Sequence, residues 1–139
     1  MAWARDAAQP RQGHVHLVPP GTRLSVTAEG FQVSQLAPSS LSWLASGDDL
    51  ISSLAMLYGP RSIAIVLSGA TAAGVNGLRA VKACGGFAIA QDRVSSQHFE
   101  MPSAAIDWGK AEIVMPPQRI ASALKIIAQL WDEGGASFD

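Results

Sequence analysis

The feature that most constrains the fold lies between Ile63 and Lys82. The apolar run Ile63-Ala64-Ile65-Val66-Leu67 breaks into the small-residue stretch Ser68-Gly69-Ala70-Thr71-Ala72-Ala73-Gly74, then reopens as Val75-Asn76-Gly77-Leu78-Arg79-Ala80-Val81-Lys82. A short β-branched run reads as a buried strand, the small residues as a turn, and the amphipathic segment after them as a helix. Strand, turn and helix in that order form the repeating unit of an α/β sheet. The same order recurs downstream. Residues 87–90 and 112–115 read as strands with a short helix between them, and the last helix carries Ile120, Leu124, Ile127 and Trp131 on one stripe. Short loops between alternating elements predict parallel strands joined by right-handed crossovers. Functional loops then belong at the C-terminal strand ends, residues 68–74, 91–102 and 116–117.

Upstream, residues 14–18 read as a strand stopped by Pro19-Pro20, and 23–27 pairs with 31–35 across Glu29-Gly30. Residues 37–46, Ser-rich with Pro38, predict a connector. Asp48-Asp49 then cap a helix whose apolar face holds Leu50, Ile51, Leu54, Leu57 and Tyr58. The predicted class is α/β: a three-layer, doubly wound, mostly parallel sheet opened by a small β-hairpin. Residues 1–12 are expected as a loose N-terminal segment, 13–133 as one partial α/β domain and 134–139 as a loose tail.

A chain of 139 residues with 48% apolar and 15% charged residues suits one globular core. A net charge of −1 carries no electrostatic footprint for nucleic acid or an anionic membrane. Arg5, Arg11, Arg79 and Lys82 read as solvated surface. The single cysteine, Cys84, forms no internal disulfide, and no apolar stretch approaches the ~20 residues of a membrane span. With no basic, apolar leader at the start, a cytoplasmic location is expected.

The segment from Leu67 to Leu78, followed by Cys84-Gly85-Gly86-Phe87-Ala88-Ile89-Ala90-Gln91-Asp92 and Met101-Pro102-Ser103-Ala104-Ala105-Ile106, resembles the effector domain of the CheB-type chemotaxis methylesterases. The likeness runs from Gly13-His14-Val15-His16-Leu17-Val18-Pro19-Pro20, similar to that family's Gly-x-Val-Tyr-Ile-Ala-Pro strand, to Val114-Met115-Pro116-Pro117 and the last helix. The family's strand exit runs Leu-Ser/Thr-Gly-Met-Gly-x-Asp-Gly-x-x-Gly-Leu. Leu67, Ser68, Gly69, Gly74, Gly77 and Leu78 match it, whereas Ala70 and Thr71 replace Met and Gly, and Ala73 stands at the catalytic Asp.

The resemblance implies a Ser-His-Asp hydrolase of protein glutamate methyl esters. It also implies that the family's Ser and His segments precede its first landmark, and residues 1–12 hold neither residue type. No counterpart of the family's receiver domain is expected in these residues either. A serine hydrolase needs a base for the hydroxyl proton, an acidic group to orient that base, and oxyanion donors. Loss of the acidic member alone costs on the order of 10⁴-fold in turnover. The expectation is therefore a methylesterase-like domain without catalysis by itself, serving as a binding or regulatory module for a chemoreceptor or chemosensory signalling protein in a phosphorelay. The alternative is one subunit of a split methylesterase whose partner supplies Ser and His. A sheet lacking its first strands also predicts self-association or pairing with a partner half-domain.

Other residue patterns offer chemistry of their own. Ser68, Asp92 and His98 fall in loops on the presumed functional edge and form a conceivable replacement triad, although Ser68 is not at the family's nucleophile position and Asp92 suits a turn. Ser68, Gly69, Ala70 and Gly74 define the functional loop. Gly69, Gly74 and Gly77 could cradle phosphate at a helix start, but lack the Lys-Ser/Thr ending of a P-loop, and close packing explains them equally. His14 and His16 share a strand face without a third ligand, so no metal is expected, and no cofactor. Cys84 at a helix end reads as a small packing residue, and Trp43, Trp108 and Trp131 as core or interface anchors.

Overall fold

A computed structural model describes residues 1–38 and 42–134, and within the helix that starts at Ser42 the side chains from residue 45 onward. The order is β1 (Ala2–Trp3), β2 (His16–Leu17), β3 (Thr22–Thr27), β4 (Gly30–Gln35), α1 (Ser42–Tyr58), a 3₁₀ turn (Gly59–Arg61), β5 (Ile63–Val66), α2 (Val75–Ala83), β6 (Phe87–Gln91), α3 (Glu100–Asp107), β7 (Ile113–Met115) and α4 (Pro117–Glu133). Strands β5, β6 and β7 form a parallel sheet in that order, with Ile65, Ile89 and Ile113 in register. Strands β3 and β4 form an antiparallel hairpin closed by the Thr27 and Gly30 pair, and β1 pairs in parallel with β2. The fold is thus α/β, with helices on a parallel sheet and a hairpin ahead of it.

Strand alternation decides the core. Ala64, Val66, Ala88 and Ala90 point to one face of the sheet, where Leu78 and Val81 of α2, Ala105 of α3 and Ala55 of α1 close over them. Small side chains on the strands let the helices sit close, and fully buried Leu78 contributes about 1.5–3 kcal/mol. A second cluster holds Ala4, Leu24, Val26 and Phe31 of the N-terminal part, with Leu50 and Leu54 of α1 against it. Helix α1 therefore has two apolar edges: Leu50 and Leu54 face the hairpin, while Ile51 and Ala55 face the sheet layer.

Several expectations are corrected. Residues 2–8 are not loose. Ala2 and Ala4 donate to the carbonyls of Val15 and Leu17 at 3.0 and 2.8 Å, Ala7 donates to Phe31 O at 2.8 Å, and Phe31 donates to Ala8 O at 2.9 Å. Asp6 Oδ1 also accepts the Val33 N–H at 2.9 Å, so backbone pairing with the hairpin holds the segment in place. Residues 42–46, expected in a connector, belong to α1, because burial on both edges of that helix outweighs the weak helical preference of Ser and Gly.

Asp48 and Asp49 therefore lie inside α1 and do not cap it. Asp48 Oδ1 accepts the Gly77 N–H at 2.9 Å and so caps α2 from outside, while Asp49 meets the Arg23 guanidinium at 2.5 Å. Leu57 and Tyr58 of the expected apolar face are exposed. Trp108 is 69% exposed and so no core anchor, since the chain leaves α3 there. Trp131 is half-buried beneath the Arg61 guanidinium. The Trp43 side chain, residues 39–41 of the expected connector and the tail at 135–139 lie outside the described residues.

The α1–α2 contact depends on a missing side chain. A Cβ at Gly77 would stand 2.6 Å from Ile51 Cβ, so only glycine lets the first turn of α2 approach α1 closely enough for Asp48 to reach its backbone. Replacing Asp48 with Ala is expected to lower stability by about 1 kcal/mol, as for a lost helix cap. Denaturant unfolding checks this, with the exchange rate of the Gly77 amide reporting the local loss.

Candidate functional site

The C-terminal ends of β5 and β6 are tied by one buried side chain. Gln91, the last residue of β6, accepts the Ser68 N–H on Oε1 at 2.8 Å, and through Nε2 donates to Ser95 O at 2.9 Å and Ser95 Oγ at 3.1 Å. An amide suits this place because it presents acceptor and donor together, and both partners would otherwise be unpaired. Asp92 stiffens the same turn: its Oδ1 accepts the Ser95 N–H at 3.1 Å and the Ser95 hydroxyl, and its carbonyl accepts Ser96 Oγ at 2.6 Å.

A second clasp joins Ser68 to His98. The Ser68 hydroxyl donates to His98 O at 3.1 Å and accepts the His98 N–H at 2.9 Å. The Gly69 N–H also donates to His98 O, and Gly69 O accepts the Met101 N–H, both at 2.9 Å. Gly69 rests on Met101, whose Cε would lie 2.8 Å from an added Cβ. The loop after β5 and the loop after β6 are thus tied together by hydrogen bonds.

This geometry assigns the conceivable replacement triad to other work. Ser68 and His98 are brought together, but through the His98 backbone and not its exposed imidazole. The Asp92 carboxylate is spent on Ser95. Among the described residues no hydrogen bond joins the side chain of one of Ser68, Asp92 and His98 to the side chain of another, so no base is poised on the Ser68 hydroxyl. Ala73 is half-buried in the turn before α2 and offers only a methyl group, with its N–H 3.4 Å from Thr71 Oγ1. Ala70 is exposed and Gly74 buried in the same loop.

The other candidate positions are also occupied by structure. The helix start at Gly74 and Gly77 already holds an internal anion, the Asp48 carboxylate, at the place a phosphate would take. His14 and His16 stack with ring centroids 6.3 Å apart, and His16 meets the edge of Phe31 at 4.9 Å. His16 Nε2 accepts the Arg11 N–H at 3.2 Å, and His14 Nδ1 lies 3.0 Å from Gln12 O. Among the described residues no three His, Cys, Asp or Glu side chains converge. Cys84 is free, half-buried and at the C-terminal cap of α2. Pattern reasoning gave Gln91 no role and assigned Asp48 to the wrong helix. The one signal for Gln91 is an amide ending the apolar run Ile89-Ala90.

Comparison with known proteins gives consistent findings. The family model described as CheB methylesterase matches residues 1–124. The chain is 38% identical over 127 residues to the protein-glutamate methylesterase/protein-glutamine glutaminase of group 3 operon from Rhizobium meliloti, covering 91% of this chain and 36% of that one. It is 37% identical over 112 residues to the protein-glutamate methylesterase FrzG of Myxococcus xanthus, covering 81% and 34%. The chain spans about a third of the length of these curated relatives. The crystal structure of the Thermotoga maritima CheB methylesterase catalytic domain superposes with a TM-score of 0.77 at 26% identity, over 87% of this chain and 66% of that one.

Gln91→Leu is expected to strand the Ser68 N–H and the Ser95 carbonyl and to cost about 1–3 kcal/mol. Amide exchange of residues 68 and 95–98 should accelerate more than that of β6 itself, and uniform loss of protection would contradict the clasp.

Proposed function

The chain belongs to the CheB methylesterase family of chemotaxis systems, and from that premise we propose that these residues act as a binding or regulatory domain without ester hydrolysis of their own. The observation behind this reading is Ala73, where the resemblance places the acidic residue that orients the catalytic base. Its support is the engagement of Ser68, Asp92 and His98 in backbone clasps, which leaves no nucleophile–base pair among the described residues. The partner that fits is a chemoreceptor or another chemosensory signalling protein of a phosphorelay. A cytoplasmic location goes with this reading, and among the described residues no helix is long and apolar enough to cross a membrane.

A second reading has its own observation. Strand β5 is an edge of the three-stranded sheet, and Leu67 just beyond it is 51% exposed. An open edge of this kind is a template for another strand. A partner half-domain or a second copy paired there would extend the sheet, and a half-domain carrying Ser and His would hydrolyse a glutamyl methyl ester to glutamate and methanol.

The test is methanol release from a methylated chemoreceptor, with an intact methylesterase as positive control. No turnover above background is expected from the purified chain, and release would overturn the non-catalytic reading. In an assembly with a Ser- and His-bearing partner, Ala73→Asp is expected to raise turnover by restoring the orienting carboxylate. An unchanged rate would count against the split enzyme.

A further inference from the structure

The cleft beside the Gln91 clasp carries chemistry that the methylesterase resemblance does not use. Its walls are Arg93, Ser96, Gln97, Phe99, Glu100 and Ser103, around a volume of about 440 Å³. The Arg93 guanidinium carbon lies 4.3 Å from the centroid of the Phe99 ring. Arg93 is exposed, and the ion pairs among the described residues, Arg23–Asp49 and Lys82–Glu112, do not include it. The Phe99 ring lies against the guanidinium, and among the described residues its N–H groups have no hydrogen-bond or ion-pair partner, so the planar fork is available to a carboxylate through two parallel hydrogen bonds.

The rest of the cleft narrows the choice of occupant. Ser96 Oγ is spent on Asp92 O and Ser103 Oγ faces Asp107, so neither hydroxyl is free to lead recognition. Glu100 also lines the cleft, and its charge disfavours a ligand with several acidic groups. Val94, the next residue after Arg93, is 95% exposed, an apolar contact for the hydrocarbon part of the same segment. The Asp92 and Ser68 clasps hold this loop at both ends, so little order has to be gained on binding.

Resting on the functional reading above, we propose that the Arg93–Phe99 cleft reads the modification state of the partner, binding a protein segment through a free glutamate carboxylate in preference to its methyl ester or amide. Only the carboxylate is charged and accepts at both oxygens. The ester and the amide each leave the guanidinium fork half-paired. The domain would then favour the product state of the reaction named for its relatives.

The experiment uses the full chain and a soluble chemoreceptor signalling fragment prepared with its modification sites all glutamate, all glutamine or all glutamate methyl ester, with binding followed by fluorescence anisotropy. The glutamate form is expected to bind about fivefold more tightly than the other two, with the difference shrinking as salt rises. Arg93→Gln should erase the preference, and Glu100→Gln should strengthen binding of the glutamate form. Equal binding of the three forms, a preference that survives Arg93→Gln, or no binding of any form overturns the proposal. Methanol release bears on the functional reading alone. Equal binding of all three forms removes the cleft's role and leaves that reading standing.

Discussion

The close approach of α1 to α2 at Gly77 governs the organisation of the molecule. Helix α1 carries Ile51 and Ala55 toward the sheet layer and Leu50 and Leu54 toward the hairpin, so it is the shared wall of two apolar clusters. Its distance from α2 is set by a position that has no Cβ, opposite Ile51. Asp48 turns that proximity into a directional bond, because a carboxylate next to the first turn of a helix meets both a free N–H and the positive end of the helix dipole. If the two helices parted, the hairpin and the N-terminal strand would lose their attachment to the parallel sheet.

The C-terminal edge follows a different logic, in which polar side chains fix loops that have little apolar surface of their own. Gln91 and the Ser68 hydroxyl each bridge two backbone segments, and a buried polar group of this kind is stable only when its partners are all present. Ser68, a conceivable replacement nucleophile away from the family's nucleophile position, braces the His98 backbone in the fold. The same bracing holds the exposed pair Arg93 and Val94 in place, so the edge combines a rigid base with an outward-facing recognition surface.

Strong local patterns were legible in the residues. The apolar run from Ile63, the hairpin around Glu29-Gly30 and the stripe of Ile120, Leu124, Ile127 and Trp131 each state their own period, and the structure has a strand, a hairpin and a helix there. The reading failed where local signals were weak or pointed elsewhere. Asp48-Asp49 looked like a helix cap because acidic residues favour helix starts, but Asp48 caps a helix turn 29 residues away in the chain and Asp49 pairs with Arg23. Residues 2–8 have no apolar periodicity, and their order comes from backbone bonds to β2 and β4. Trp108 is no part of the core, because it sits at a helix exit facing solvent.

By itself the amino-acid sequence determined the class of the fold and the family, because periodicity, glycine placement and motif order are all short-range properties of the chain. Only the tertiary structure decided what the loop residues do. A serine, a histidine and an aspartate near one sheet edge are compatible with a triad or a clasp, and the choice rests on which atom of His98 faces Ser68. That orientation is set by the Gln91 bridge and the packing of Met101 under Gly69, contacts between residues more than twenty positions apart. The pairing of Arg93 with Phe99 depends in the same way on how the loop turns, which composition and spacing do not encode.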